Sequence, residues 1–254
     1  MSVTHLRTRL QAWFAQQPGA SLLQIEQDWL AQQLPDMFGY HILQLGQLAD
    51  MDLLAASRIG HRAVLALDAV DGQQPAVVSR GESLPLAADS VDVLVLPHVL
   101  EFEVNPHQVL RECERVLIGE GHVLILTFNP WSLWGLSRLL LGWRAAPPWN
   151  GHFFSASRLQ DWLRLLGFEI LTTQRLFYRP PIVHTATLQR LVFMEQLGPW
   201  CWPWWAGVHA IVAKKRVIPL TPVRELWRRR RRLIANGIAE PTARKKQPTG
   251  TLTS

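Results

Sequence analysis

With 254 residues, 48% of them hydrophobic and 18% charged, the chain has enough apolar material for one medium domain with appendages, and it is not a disordered chain. Its two cysteines, Cys113 and Cys201, show no CxxC spacing, which argues against a zinc site or disulfide framework and for a reducing, cytoplasmic setting. The net charge of +6 is uneven: from Lys214 onward twelve basic residues face two acidic ones, so this tail carries +10 and the remainder −4.

In chain order, "MSVTHLRTRLQAWFAQQPG" has no unbroken apolar run and does not read as a secretory leader. Leu6, Leu10, Trp13 and Phe14 recur at helical spacing up to a break at "QQPG". A second helix is predicted through "SLLQIEQDWLAQQL", with Ser21 as N-cap. From residue 40 onward, short apolar runs alternate with polar or helical stretches: "HILQLG", "AVLALD", "AVVS", "VDVLVL" and "HVLILTF". Continuous apolar runs suit strands buried on both faces of a parallel sheet. "NPHQVLRECERVLIGEG" is predicted helical, with Asn105 as cap, Pro106 at the first position and Gly119 or Gly121 as the left-handed terminator. "FSASRLQDWLRLLGFEIL" gives a helix with capping-box spacing at Ser157 and Gln160, ended by Gly167. The strands "FEILTTQRLFY" and "GVHAIVAKKR" then close an α/β sandwich with an antiparallel edge.

Residues 191–213 are apolar enough to raise the question of a membrane span, but Gly198, Pro199, Pro203 and Gly207 interrupt them. No integral span is expected; the tryptophans either cover the core or touch a partner, and a membrane surface suits a Trp cluster beside a basic tail. The chain thus divides into a helical extension over 1–39, a core domain over 40–218 and a basic tail, expected to be flexible, over 219–254. "WRRRRR" presents Arg228, Arg229, Arg230, Arg231 and Arg232 to nucleic acid or another anionic surface, or is simply a solvated charge run.

The segment 81–130 resembles the class I S-adenosylmethionine-dependent methyltransferases. The likeness is carried by Leu84–Pro85, Asp89 to Asp92, His98 to Glu101, Arg115 to Leu117 and Gly121, in that order. "LPLAADSVDV", "FNPWSLWGL" and "VAKKRVIPLT" look more narrowly like a small bacterial group of methyltransferase-like proteins. The resemblance implies a Rossmann-like three-layer sandwich whose mostly parallel seven-stranded sheet has one inserted antiparallel strand. It also implies S-adenosyl-L-methionine as cofactor, bound at the carboxyl ends of the strands, as ligands generally are on open α/β sheets.

Carried over by position, the resemblance assigns Leu45, Gly46 and Gln47 to the first cofactor loop and Asp68 to the ribose, with Asp71 as a rival. Gly81 and Glu82 fall on the adenine side and His98 on the wall after the fourth strand. The family's loop has two or three glycines, whereas here Gln47, Leu48 and Ala49 follow Gly46, and Arg80 stands where an acid is common. Asn129 and Pro130 border the acceptor side, and His152 is placed to reach the cleft. Methyl transfer to an acceptor the sequence does not name is the leading reading. A non-catalytic protein of the same fold, binding nucleic acid or a protein partner through its tail and Trp-rich loop, is the alternative.

Overall fold

A computed structural model of the chain describes residues 3–49, 51–67, 79–141, 148–182, 184 and 190–217. All belong to one compact unit, Met1–Ile218. Six strands form a single sheet: β1 (His41–Leu45), β2 (His61–Leu65), β3 (Val91–Pro97), β4 (Leu117–Phe128), β5 (Phe168–Leu176) and β6 (Val208–Lys215). Their order is β2-β1-β3-β4-β6-β5, with β6 antiparallel to both its neighbours. The odd strand is therefore inserted, as the resemblance implied, and does not form the edge that the residues alone suggested. The burial explains this. Nearly all of β6 is buried, whereas most of β5 is exposed or half-buried, as a half-covered edge strand is. The expected seventh strand, "AVVS", lies outside the described residues except for Ser79, whose N–H donates to Ala66 O at 2.8 Å just past β2.

Every residue of β3 is buried, and its side chains alternate between two cores. Val93 and Val95 meet Leu22, Leu30 and Phe14 from helices α1 (Val3–Phe14) and α2 (Gly19–Gln33). Leu94 and Leu96 meet Val109, Leu110, Leu159 and Leu163 from α3 (Pro106–Val116) and α5 (Ala156–Leu165). Two shorter helices, α4 (Leu133–Leu141) and α6 (Phe193–Cys201), follow β4 and precede β6. The stretch expected as a Trp loop thus contains a helix and a 3-10 turn, and its tryptophans point outward and do not cover the core.

The helix ends depart from expectation for identifiable reasons. Helix α2 begins at Gly19, so Ser21 is internal and its hydroxyl donates to Gln17 Oε1 at 2.6 Å. Asn105 occupies the cap position of α3, but Glu82 Oε1 draws its side-chain amide away at 2.8 Å. The C-terminus of α3 needs no left-handed glycine, because the buried Lys215 Nζ donates to Glu114 O and Leu117 O at 2.7 and 2.8 Å. Glu120 takes the positive φ of +68°, while Gly121 admits the close approach of Asp92 O. Ser155, not Ser157, caps α5 by accepting from Arg158 N–H, and Gly167 ends it at φ +83° as expected.

Asp92 also sets the start of β1: its Oδ2 accepts the N–H groups of Tyr40 and His41 at 2.9 and 2.8 Å. A Cβ on Gly39, at φ +155°, would collide with the Asp92 side chain. Gly39→Ala is therefore expected to lower stability by about 2 kcal/mol in urea unfolding. An unchanged midpoint would contradict the close approach.

Candidate active site

Strands β1 to β4 run parallel, so their carboxyl ends gather on one edge of the sheet. There the chain leaves β1 through Leu45, fully buried, and Gly46, at φ +77° with its N–H on Leu65 O at 2.8 Å. A Cβ on Gly46 would meet Leu67 and Val99 only at ordinary contact, 3.4 and 3.6 Å, so backbone conformation, not space, requires glycine. Leu48 turns into the core with Leu10 and Phe14, and the Gln47 amide donates to Ala49 O at 3.4 Å. Helix α1 rests on the same loop: Gln11 Nε2 donates to Gln47 O at 2.8 Å, and Arg7 pairs with Glu103. Gly81 is buried where a side chain would strike Glu103, and Glu82 is partly exposed. Asp68, its rival Asp71 and the Arg228–Arg232 run lie outside the described residues.

His98 does not line an open cleft. It sits at φ +51° just past β3, 2% exposed, with Nδ1 3.0 Å from Glu101 Oε1 and Nε2 2.7 Å from Glu26 Oε1. Its ring stacks on Phe128 at 4.1 Å and lies 5.4 Å from Phe14. Burial by itself would lower the imidazole's pKa, but the two carboxylates override it and hold the value up at about 10. His98 is therefore an imidazolium at neutral pH, clamped between α2 and the 3-10 turn Leu100–Phe102. Glu101 Oε1 also accepts Phe128 N–H at 2.8 Å, while Oε2 of both Glu26 and Glu101 is buried without a partner.

Past β4, the Asn129 amide gives its protons to Trp204 O and Ala206 O at 2.9 and 2.8 Å, and Oδ1 accepts Trp131 N–H at 2.9 Å. Asn129 thus fastens the turn before β6 to the end of β4. Pro130 opens a groove of about 1020 Å³ that runs along α4, with Leu136, Leu139, Trp149 and Trp205 in its walls. Two polar atoms of its lining, Arg138 Nε and Asn150 Oδ1, are buried without a hydrogen-bond partner. His152 is exposed two residues past Asn150, its N–H on Glu101 O at 2.7 Å. The structure therefore places Leu45, Gly46 and Gln47 in one loop, sets Pro130 in a groove beyond β4, and encloses His98 and Asn129.

The sequence profile of a methyltransferase domain matches residues 40–125. The Escherichia coli protein YafS is 36% identical over 185 residues, covering 73% of this chain and 72% of that one. A methyltransferase of Thermotoga maritima superposes with a TM-score of 0.56 at 15% identity, over 85% of this chain and 100% of that one. An Archaeoglobus fulgidus S-adenosylmethionine-dependent methyltransferase does so with 0.53 at 16%, over 76% and 94%. The chain belongs to one family with YafS, carries a methyltransferase domain over residues 40–125, and has the fold of S-adenosylmethionine-dependent methyltransferases. Within this methyltransferase fold, the profile match spans β1 to β4 and so includes the loop at Gly46 and the triad residues His98 and Glu101.

Glu26 was not singled out from the sequence, and Glu101, though part of the stretch that carries the resemblance, was given no role at the site. A signal for Glu26 was present: it falls on the face of α2 shared by Leu22, Leu23, Trp29 and Leu30, where a lone acid needs a buried partner. For Glu101, the cue was its three-residue spacing from His98 at a strand end.

A pH dependence follows. The folded pKa of His98 lies above the ordinary 6.5, so the stability it contributes is present below about pH 6.5 and fades as pH climbs to about 10. His209 is buried, which with the nearby Arg175 charge depresses its pKa to about 4; its contribution is present above about pH 6.5 and fades toward about 4. Urea unfolding should therefore show a maximum near neutrality, and His98→Gln should flatten the alkaline limb. Glu26→Ala should cost about 3–5 kcal/mol at pH 7, since it leaves the buried imidazolium half-paired. An alkaline limb unchanged in His98→Gln would contradict the charged triad.

Proposed function

We propose that the chain transfers a methyl group from S-adenosyl-L-methionine to a mainly apolar acceptor with a hydrogen-bonding head. The observation that carries this reading is the shared edge of the sheet: the positive-φ glycine ending β1 and the groove opening at Pro130 both lie at the carboxyl ends of parallel strands. The cofactor fits what is there. Leu48 is turned into the core and Gly46 is half-buried at positive φ, so backbone there can be approached more closely than at a residue with a side chain. The bend adjoins Val99, which stands between His98 and Glu101, and two carboxylates against one imidazolium suit a nearby sulfonium cation.

When bound, S-adenosyl-L-methionine supplies a methyl group already activated on sulfur. What remains for the protein is placement and exclusion of water. Leu45, Gly46 and Gln47 hold the methionine end, Asp68 the ribose hydroxyls, and Gly81 with Glu82 the adenine side. His98 is a positioning residue that fixes the wall after β3. Asn129 positions the Trp204–Ala206 turn, Pro130 borders the acceptor, and Arg138 Nε and Asn150 Oδ1 offer one donor and one acceptor to its head. His152, exposed beside Asn150, is placed to take a proton from an acceptor that must lose one.

Calorimetry with S-adenosylmethionine and S-adenosylhomocysteine tests the reading. Dissociation constants on the order of 10 µM are expected, weakened roughly tenfold by Asp68→Ala and further by Gly46→Val. No heat at millimolar cofactor, with the chain folded, would overturn it and favour a scaffold that has lost the cofactor.

A further inference from the structure

Of the seventeen large apolar side chains that stand exposed among the described residues, eleven fall in two segments, 131–140 and 192–205. Trp200 is 89% exposed, Leu139 81%, Trp131 76% and Trp204 69%. The two segments adjoin: Asn129 ties Trp204 O to the end of β4, and Trp205 lines the groove together with Trp131 and Leu139. No acid in either segment is unpaired, because the one that occurs, Glu195, is bound by Arg179 Nε and Tyr178 N–H. An exposed apolar surface of this kind marks an interaction site. Past Val217 the sequence adds nine basic residues against two acidic ones.

We propose that segments 131–140 and 192–205 form one face that seats in the headgroup layer of an anionic lipid bilayer, with the α4 groove opening into it. Tryptophan prefers that layer, where its ring is buried and its N–H stays hydrated. The sequence beyond Val217 has a net positive charge, the sign that anionic headgroups attract. Nucleic acid fits this face less well: Leu136, Leu139 and Leu197 neither stack on bases nor pair with phosphates. The contact is peripheral, since no helix among the described residues is long and apolar enough to cross a membrane.

The test mixes the full chain, without cofactor, with vesicles of phosphatidylcholine containing about 30% phosphatidylglycerol, and with phosphatidylcholine alone. Co-sedimentation is expected with the anionic vesicles, together with a blue shift of tryptophan emission and quenching by brominated lipid. The variant Leu139→Ser/Trp200→Ser/Trp204→Ser alters only exposed side chains and should melt like the parent while partitioning about tenfold less. Three results would each overturn the proposal. One is no binding to anionic vesicles; another is binding that high salt removes but the variant retains, which assigns it to charge alone. The third is a concentration-dependent dimer, abolished in the variant, which assigns the face to a second copy of the chain. None of these outcomes depends on methyl transfer.

Discussion

A single buried imidazolium ties the two ends of this fold's working edge together. His98 joins Glu26 of α2 to Glu101 beyond β3, and Glu101 in turn takes the backbone N–H of Phe128 at the end of β4. Three elements that are distant in sequence are thus fixed to one ring with no exposed surface. Charges held this way contribute little net stability, because desolvation offsets their attraction, but losing any one member is costly. The arrangement therefore specifies position more than it adds stability: α2 has one register on the sheet.

The consequences run outward from that ring. With α2 fixed, α1 lies across the carboxyl edge, where Gln11 reaches Gln47 O and Arg7 reaches Glu103. The loop after β1 is then held from α1 at Gln47 O, and Gly46 supplies its positive φ. On the other side, Phe128 stacks on His98 and continues through Phe153 and Trp134 toward the groove. Asn129 completes that wall by fastening the turn before β6. One aromatic layer thus connects the His98 clamp with the groove along α4.

Much of this was legible in the sequence. The apolar run Val93–Leu96 of β3 announced a strand covered on both faces, and the helical spacing of Val109, Leu110, Cys113 and Val116 announced the helix that covers one of them. Other features were hidden because they depend on partners far along the chain. Lys215 does the work expected of a terminating glycine 94 or more residues earlier, and the Asn105 amide leaves its cap for Glu82. At the site, Gly46 was readable because positive φ has a residue signature. His98 was read as a wall residue because a lone acid on the apolar face of α2 shows that Glu26 needs a partner but not that the partner lies 72 positions away. Asn129 stood out as a polar residue at a strand end, but its backbone partners at Trp204 and Ala206 cannot be read from spacing.

The most direct measurement is a nitrogen-15 NMR titration of the His98 ring in the full chain. The account requires both ring nitrogens to stay protonated from about pH 6 to about pH 9, with downfield N–H protons coupled to Glu26 and Glu101, and deprotonation only near pH 10. A neutral His98 at pH 7, titrating near the ordinary 6.5, would contradict it and release α1 and α2 from the role assigned to them.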